Sequence, residues 1–200
     1  MNLIEKAQLF AHHAHDSIKQ IRKYTGEPYW VHTDQVASIV ASVGGTPEMI
    51  MAAHLHDVEE DVASSGSVLN NPEVFGLDKD GVYWYNTTTI AAVFGAEVTR
   101  MVLDLTDQFT HENYPTWNRA RRKTAEINRI ADVGSDSQTI KLADLIANTE
   151  SIVEHDVDFA KTYLREKSAM LLVLNEGNKE LFQRAEESLR RGMIQIMLAK

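Results

Sequence analysis

His54-Leu55-His56-Asp57-Val58-Glu59-Glu60-Asp61 sets two imidazoles and four carboxylates in eight residues. On an α-helix, His56 and Glu60 stand four apart, as do Asp57 and Asp61, so the two pairs are expected to form a ribbon down one side. The apolar run Met49-Ile50-Met51-Ala52-Ala53 leads into them and places the ribbon on a buried helix. Buried imidazoles beside several carboxylates are costly, because desolvation and like-charge repulsion both penalise them. A divalent cation removes that cost. The competing reading is a solvated acidic helix end, and the rest of the chain has to separate the two.

Working outward, helical periodicity dominates and strand signals are scarce, so an all-α bundle of about eight helices is expected. Residues 2–23 set Leu3, Ile4, Ala7, Phe10, Ala11, Ala14, Ile18 and Ile21 on one face of a first helix. Gly26 and Pro28 break it, and Thr33 is positioned to cap a second helix that runs through Val43 to Gly44-Gly45. Thr46-Pro47-Glu48 starts the helix that carries the ribbon. From 62 to 87 the pattern dissolves into a loop of a length usually functional or mobile. Its aromatic stretch Tyr83-Trp84-Tyr85 is expected to cover core rather than close over a ligand. Helices resume near 89–107 (divided at Gly95), 116–132, 136–153, 157–174 and 178–198. The last, with Leu181, Leu189, Met193, Ile196 and Met197, is either core or a subunit contact, which leaves a homo-oligomer open.

A chain of 200 residues with 44% hydrophobic content can bury one substantial core, so a single domain over 1–200 is expected. With no cysteine, any metal must sit on His, Asp or Glu. The start Met1-Asn2-Leu3-Ile4-Glu5-Lys6 lacks the apolar run of a signal peptide, and no apolar stretch is long enough for a membrane span, so a cytoplasmic protein without a membrane partner is expected. A net charge of −9 argues against nucleic acid as a partner. Arg119-Ala120-Arg121-Arg122-Lys123 is the densest basic run. Either Arg119 and Lys123 grip an anionic substrate from one helix face, or the run is a solvated face paired with nearby acids.

His32 follows the Gly26-Glu27-Pro28-Tyr29 turn and opens a helix, where a ligand can be held rigidly. Asp144 stands in the otherwise apolar Lys141-Leu142-Ala143-Asp144-Leu145-Ile146-Ala147-Asn148, where a lone carboxylate needs a partner. Together His32, His56, Asp57 and Asp144 offer two nitrogen and two oxygen ligands, a set that suits Mn²⁺ or Fe²⁺ and less well Mg²⁺. His54 reads as a packed histidine. His12, His13 and His15 read as solvated or edge-of-core, and His111 and His155 as exposed.

The order His32 … His56-Asp57 … Asp144 resembles the signature of HD-superfamily phosphohydrolases. More closely, Arg22-Lys23-Tyr24-Thr25-Gly26-Glu27-Pro28-Tyr29-Trp30-Val31-His32 is similar to the entry motif of RelA/SpoT-type alarmone hydrolase domains. His56-Asp57-Val58-Glu59-Glu60-Asp61, Phe94-Gly95-Ala96-Glu97-Val98, Leu105-Thr106-Asp107 and Lys141 to Asn148 resemble further landmarks of that family. The resemblance covers about residues 5–175 and implies a stand-alone hydrolase that removes the 3′-pyrophosphate of (p)ppGpp with Mn²⁺. It makes His32, His56, Asp57 and Asp144 the metal ligands, and Glu60 and Asp61 the pair that orients and deprotonates the attacking water. It assigns substrate contacts to Arg22, Lys23, Tyr24, Thr25 and Asn148. Two features depart from the family: the Lys23-Tyr24-Thr25 segment is less basic, and the 62–87 loop is longer. The alternatives are another phosphohydrolase, acting on dNTPs or NADPH, and a nucleotide sensor without catalysis; the intact Glu60-Asp61 pair argues against the sensor.

Overall fold

The computed structural model describes residues 1–198, and their regular structure is helical. The helices are α1 (Leu3–Ser17), α2 (Trp30–Ser42), α3 (Pro47–Leu55), the single turn α4 (Val58–Asp61), α5 (Thr87–Leu105), α6 (Arg119–Ala131), α7 (Ser135–His155), α8 (Val157–Leu171) and α9 (Lys179–Leu198). Two short 3₁₀ turns and two isolated β-bridges complete the described elements, so the all-α expectation holds. The contacts fall into two compact units, Met1–Thr106 and the chain from Asp107 on.

In the first unit, α1 starts with a capping box, in which the Asn2 carboxamide accepts from Glu5 N–H and the Glu5 carboxylate accepts from Asn2 N–H. Its Ala7, Phe10, Ala11 and Ala14 are fully buried. α3 is capped by Thr46, whose hydroxyl accepts from Met49 N–H at 3.2 Å, and Pro47 needs no donor at the first turn. Met49, Met51, Ala52, Ala53, His54 and Leu55 are all buried, the mark of a helix enclosed on every side. Phe10 takes edge contacts from Phe75, Tyr85 and Phe94, with ring centroids 5.5, 5.1 and 5.8 Å away. The 62–87 connection is therefore pinned to the core. Tyr85 packs down as expected, and Leu69 N–H donates to Tyr83 O at 2.7 Å, tying the loop's two arms together. Trp84 stays 46% exposed. In α5, Gly95 (φ 86°, ψ 173°) makes the expected division of the helix.

Three local expectations are corrected. α1 ends at Ser17 rather than 23: Lys19 turns left-handed (φ 52°), Gln20 N–H bonds back to His15 O at 3.0 Å, and Ile21 lies in solvent. The second helix starts at Trp30, and Thr33, expected as its cap, is buried inside it with its hydroxyl donating to Trp30 O at 3.0 Å. The ribbon is not continuous helix, because α3 ends before His56. The His56 Nδ1–H donates to Ala53 O at 2.8 Å, taking the carbonyl that a continuing helix would offer to Asp57 N–H.

In the second unit, α7 is buried along most of its length against α8 and α9. Gln138 and Thr139 fasten the turn between those helices, accepting from Glu176 N–H at 3.0 Å and Asn178 N–H at 2.9 Å. α9 puts Leu181, Ala185 and Ile196 into the core and leaves Met193 and Met197 exposed. No helix among the described residues is long and apolar enough to cross a membrane.

Candidate metal centre

Of the expected ligands, the structure brings together His32, His56 and Asp57. One ligand atom from each lies within 4.8 Å of the others. Each comes from a position the local sequence holds stiffly. His32 sits in the first turn of α2, and the α3–α4 break turns His56 and Asp57 out together. Both imidazoles are buried. Because His56 Nδ1–H is bound by Ala53 O, Nε2 is the nitrogen that faces the site, 3.1 Å from Asp57 Oδ2. His32 Nε2 is 3.7 Å from the same oxygen. Tyr29, which sequence reasoning did not assign a role, donates its hydroxyl to Asp57 Oδ2 at 2.7 Å and fixes the carboxylate. Two buried imidazoles and a half-buried carboxylate, converging on one point with His56 held by a carbonyl and Asp57 by a hydroxyl, make a donor set that fits a divalent cation.

The two expected catalytic carboxylates differ. Glu60 is exposed, whereas Asp61 is half-buried and accepts from Gln20 Nε2–H at 2.9 Å. Burial, then the neighbouring Asp57 carboxylate, pushes Asp61 up to about 6, against the Gln20 hydrogen bond and the nearby imidazoles. A carboxyl held there is a usable proton acceptor near neutrality.

His15 is not at the edge of the core but fully buried, on the same face of α1 as Ala7, Ala11 and Ala14. It packs against Tyr29 with ring centroids 4.9 Å apart, and burial holds its pKa below the ordinary histidine value. His54 is the packed histidine expected. It lies 3.1 Å from Asp34 Oδ1, and His12 and Gln8 hold the same carboxylate at 3.0 Å, so their hydrogen bonds outweigh burial and keep Asp34 well below the usual carboxylate range. His12 also stacks on Trp30.

The segment assigned to substrate forms a tight turn. Arg22 N–H donates to Glu27 O at 2.8 Å, and the Lys23 ammonium donates to the Tyr24 hydroxyl at 3.1 Å, leaving Lys23 and Thr25 in solvent. In the second unit, Asp144 is buried on α7. Lys141 Nζ is 3.1 Å from its Oδ2 and Asn148 Nδ2 donates to its Oδ1 at 2.6 Å. The basic run of α6 is engaged by acids and rings. Arg119 makes a two-pronged pair with Glu166 at 2.7 Å on both prongs, Lys123 reaches Asp107 at 2.8 Å, and Arg121 lies 3.9 Å over the Trp117 ring.

Comparison with known proteins places the fold and the family. A probable guanosine-3′,5′-bis(diphosphate) 3′-pyrophosphohydrolase of Synechocystis sp. is 44% identical over 59 residues, which is 30% of this chain and 7% of that protein's length. Among solved structures, a metazoan ortholog of SpoT, described as hydrolysing ppGpp, superposes with a TM-score of 0.74 at 21% identity over 96% of each chain. A Listeria monocytogenes EGD-e protein gives 0.58 at 20% identity, covering 84% of this chain and 99% of its own. The description "HD domain" belongs to the family model that matches residues 7–169, a span that includes His32, the His56-Asp57 pair and Asp144. On that span, and on the His–His–Asp convergence it contains, the chain belongs to the HD-domain family.

Proposed function

We propose that the chain is a metal-dependent nucleotide phosphohydrolase of the cytoplasm, built as one HD hydrolase domain over residues 1–200, that removes the 3′-pyrophosphate of (p)ppGpp. The observation that carries this reading is the meeting of His32, His56 and Asp57 with a half-buried carboxyl, Asp61, in the same unit. The resemblance of Lys141 to Asn148 adds Asp144 as the fourth ligand. Two nitrogens and two carboxylates favour Mn²⁺, with Fe²⁺ and Mg²⁺ as the other candidates. A dication supplies Lewis acidity at a phosphate oxygen and acidifies water near it.

The chain's own groups do the rest. Tyr29 and the Ala53 carbonyl hold Asp57 and His56 in their ligating orientations. Asp61 takes the proton of the attacking water and Glu60 orients that water from the solvent side. Arg22, Lys23, Tyr24, Thr25 and Asn148 contact the nucleotide. Arg119 and Lys123 reach its diphosphates on exchanging their acidic partners for phosphate, a change of anion that keeps the two-pronged geometry of arginine.

Incubating the protein with Mn²⁺ and a panel of ppGpp, pppGpp, dNTPs and NADPH tests this. Pyrophosphate from ppGpp or pppGpp is the expected product; triphosphate from dNTPs or phosphate from NADPH would reassign the substrate. Tight binding with no turnover would make the chain a sensor. Glu60→Gln is expected to keep the metal and lose rate.

A further inference from the structure

Gln20 lies outside every motif of the sequence, yet four hydrogen bonds fix it. Its backbone N–H donates to His15 O at 3.0 Å, and its carbonyl accepts from Tyr29 N–H at 3.0 Å. Its side chain bridges two titratable residues: Oε1 is 2.7 Å from His15 Nδ1, and Nε2 donates to Asp61 Oδ2 at 2.9 Å. The anchor is therefore a junction. It ties the end of α1 to the entry of α2, whose Tyr29 holds Asp57, and ties both to α4, which carries Asp61.

The bridge has one workable polarity. A carboxylate accepts only, so the amide must turn its N–H₂ to Asp61 and its oxygen to His15. That oxygen also accepts only, so His15 must carry its proton on Nδ1. His15 is fully buried and packed against the Tyr29 ring at 4.9 Å between centroids, so its ring is confined. An amide pinned at one end by a confined imidazole gives Asp61 Oδ2 a fixed donor and leaves Oδ1 outside this bridge.

Resting on the phosphohydrolase reading above, we propose that Gln20, locked by His15, is a positioning residue that aims Asp61 Oδ1 at the attacking water. A structural role alone would lower stability without singling out the proton-transfer step. Aim matters at that step, because misplacing a reacting group by about 1 Å costs about 100-fold in rate.

Two variants test it. Gln20→Leu removes both side-chain bonds; Gln20→Glu keeps the shape and the His15 bond but loses the N–H to Asp61. Each is expected to lower kcat on the panel substrate about 100-fold while leaving KM and Mn²⁺ affinity, read by calorimetry, within about twofold. In an Asp61→Asn background, either change should cost nothing more, since the aimed group is gone. Long-range ¹H–¹⁵N spectra of the wild-type imidazoles should show His15 protonated on Nδ1. Additive losses, a defect confined to KM or metal affinity, or an Nε2-protonated His15 would overturn the inference. If the wild-type protein turns over nothing on the panel, the functional reading fails instead, and the imidazole spectra still decide the lock.

Discussion

Replacing Lys167 by Met should stabilise the protein and remove a slope from its stability against pH. Lys167 projects from α8 into the second unit with 1% of its surface exposed. Its ammonium donates to Thr149 Oγ1 at 2.6 Å and reaches Leu145 O at 3.5 Å. Burial brings its pKa from 10.5 down to about 7, against the opposing pull of Glu150 and Asp144. At about 1.4 kcal/mol per pH unit, the fall costs the folded state about 5 kcal/mol wherever lysine is charged when unfolded and folded. The folded pKa lies below the unfolded one, so between about 7 and 10.5 the unfolded chain holds more protons and stability rises with pH. From about pH 7 to about pH 9 the rise from this one group should be about 2 kcal/mol. Met keeps the apolar stem and titrates nowhere. Thr149 is not stranded by the change, since its hydroxyl donates to Leu145 O at 2.6 Å. After the lost ammonium bond is subtracted, a net gain of about 2 kcal/mol near pH 7 is expected, or roughly 4–8 °C in Tm. Urea and thermal melts of both proteins at the two pH values measure it. A Lys167→Met protein that melts lower near pH 7, or whose stability climbs with pH in parallel with the wild type, would refute the reasoning.

Further outcomes follow from the first unit. Tyr29→Phe removes the hydroxyl that holds Asp57 Oδ2 and should weaken Mn²⁺ binding about 10- to 100-fold by calorimetry, with the fold intact. Saturating Mn²⁺ at about 100 times its Kd should stabilise the wild type by about 3 kcal/mol, an increment that Asp57→Ala abolishes in a thermal melt. Gly95→Ala meets no neighbour within 4 Å, yet it forces a Cβ into a backbone at φ 86° and ψ 173°, so denaturant melts should show a loss of about 1–3 kcal/mol.

Much of this was legible because helices announce themselves by spacing. Phe10, Ala11 and Ala14 recur as a buried stripe, Thr46-Pro47 reads as a start, and Gly95 as a break. The His32, His56 and Asp57 convergence was legible because chemistry restricts those residue types and local turns hold each one. What stayed hidden are bonds between side chains far apart in sequence. Nothing in a local window says that Tyr29 reaches Asp57 or that Gln20, 41 positions earlier, reaches Asp61. The break between α3 and α4 was hidden for a related reason: the pattern stays helical and a single imidazole-to-carbonyl bond diverts it. His15 was misjudged because neighbouring histidines on one helix look alike until the core's position is known. The basic run 119–123 kept two readings open because pairing with Glu166 and Asp107 requires knowing which acids lie near.

The three aspartates differ in what holds them. Asp61 is held by a neutral amide, which binds it without cancelling its charge, so burial and Asp57 can raise its proton affinity. Asp57 is held by a neutral hydroxyl and sits against two imidazoles, donors that align with it toward one point. Asp144 is instead paired with an ammonium, Lys141, as well as an amide, Asn148. An ammonium 3.1 Å from a buried carboxylate supplies the compensating positive charge, which lets α7 fold with that acid inside an apolar helix.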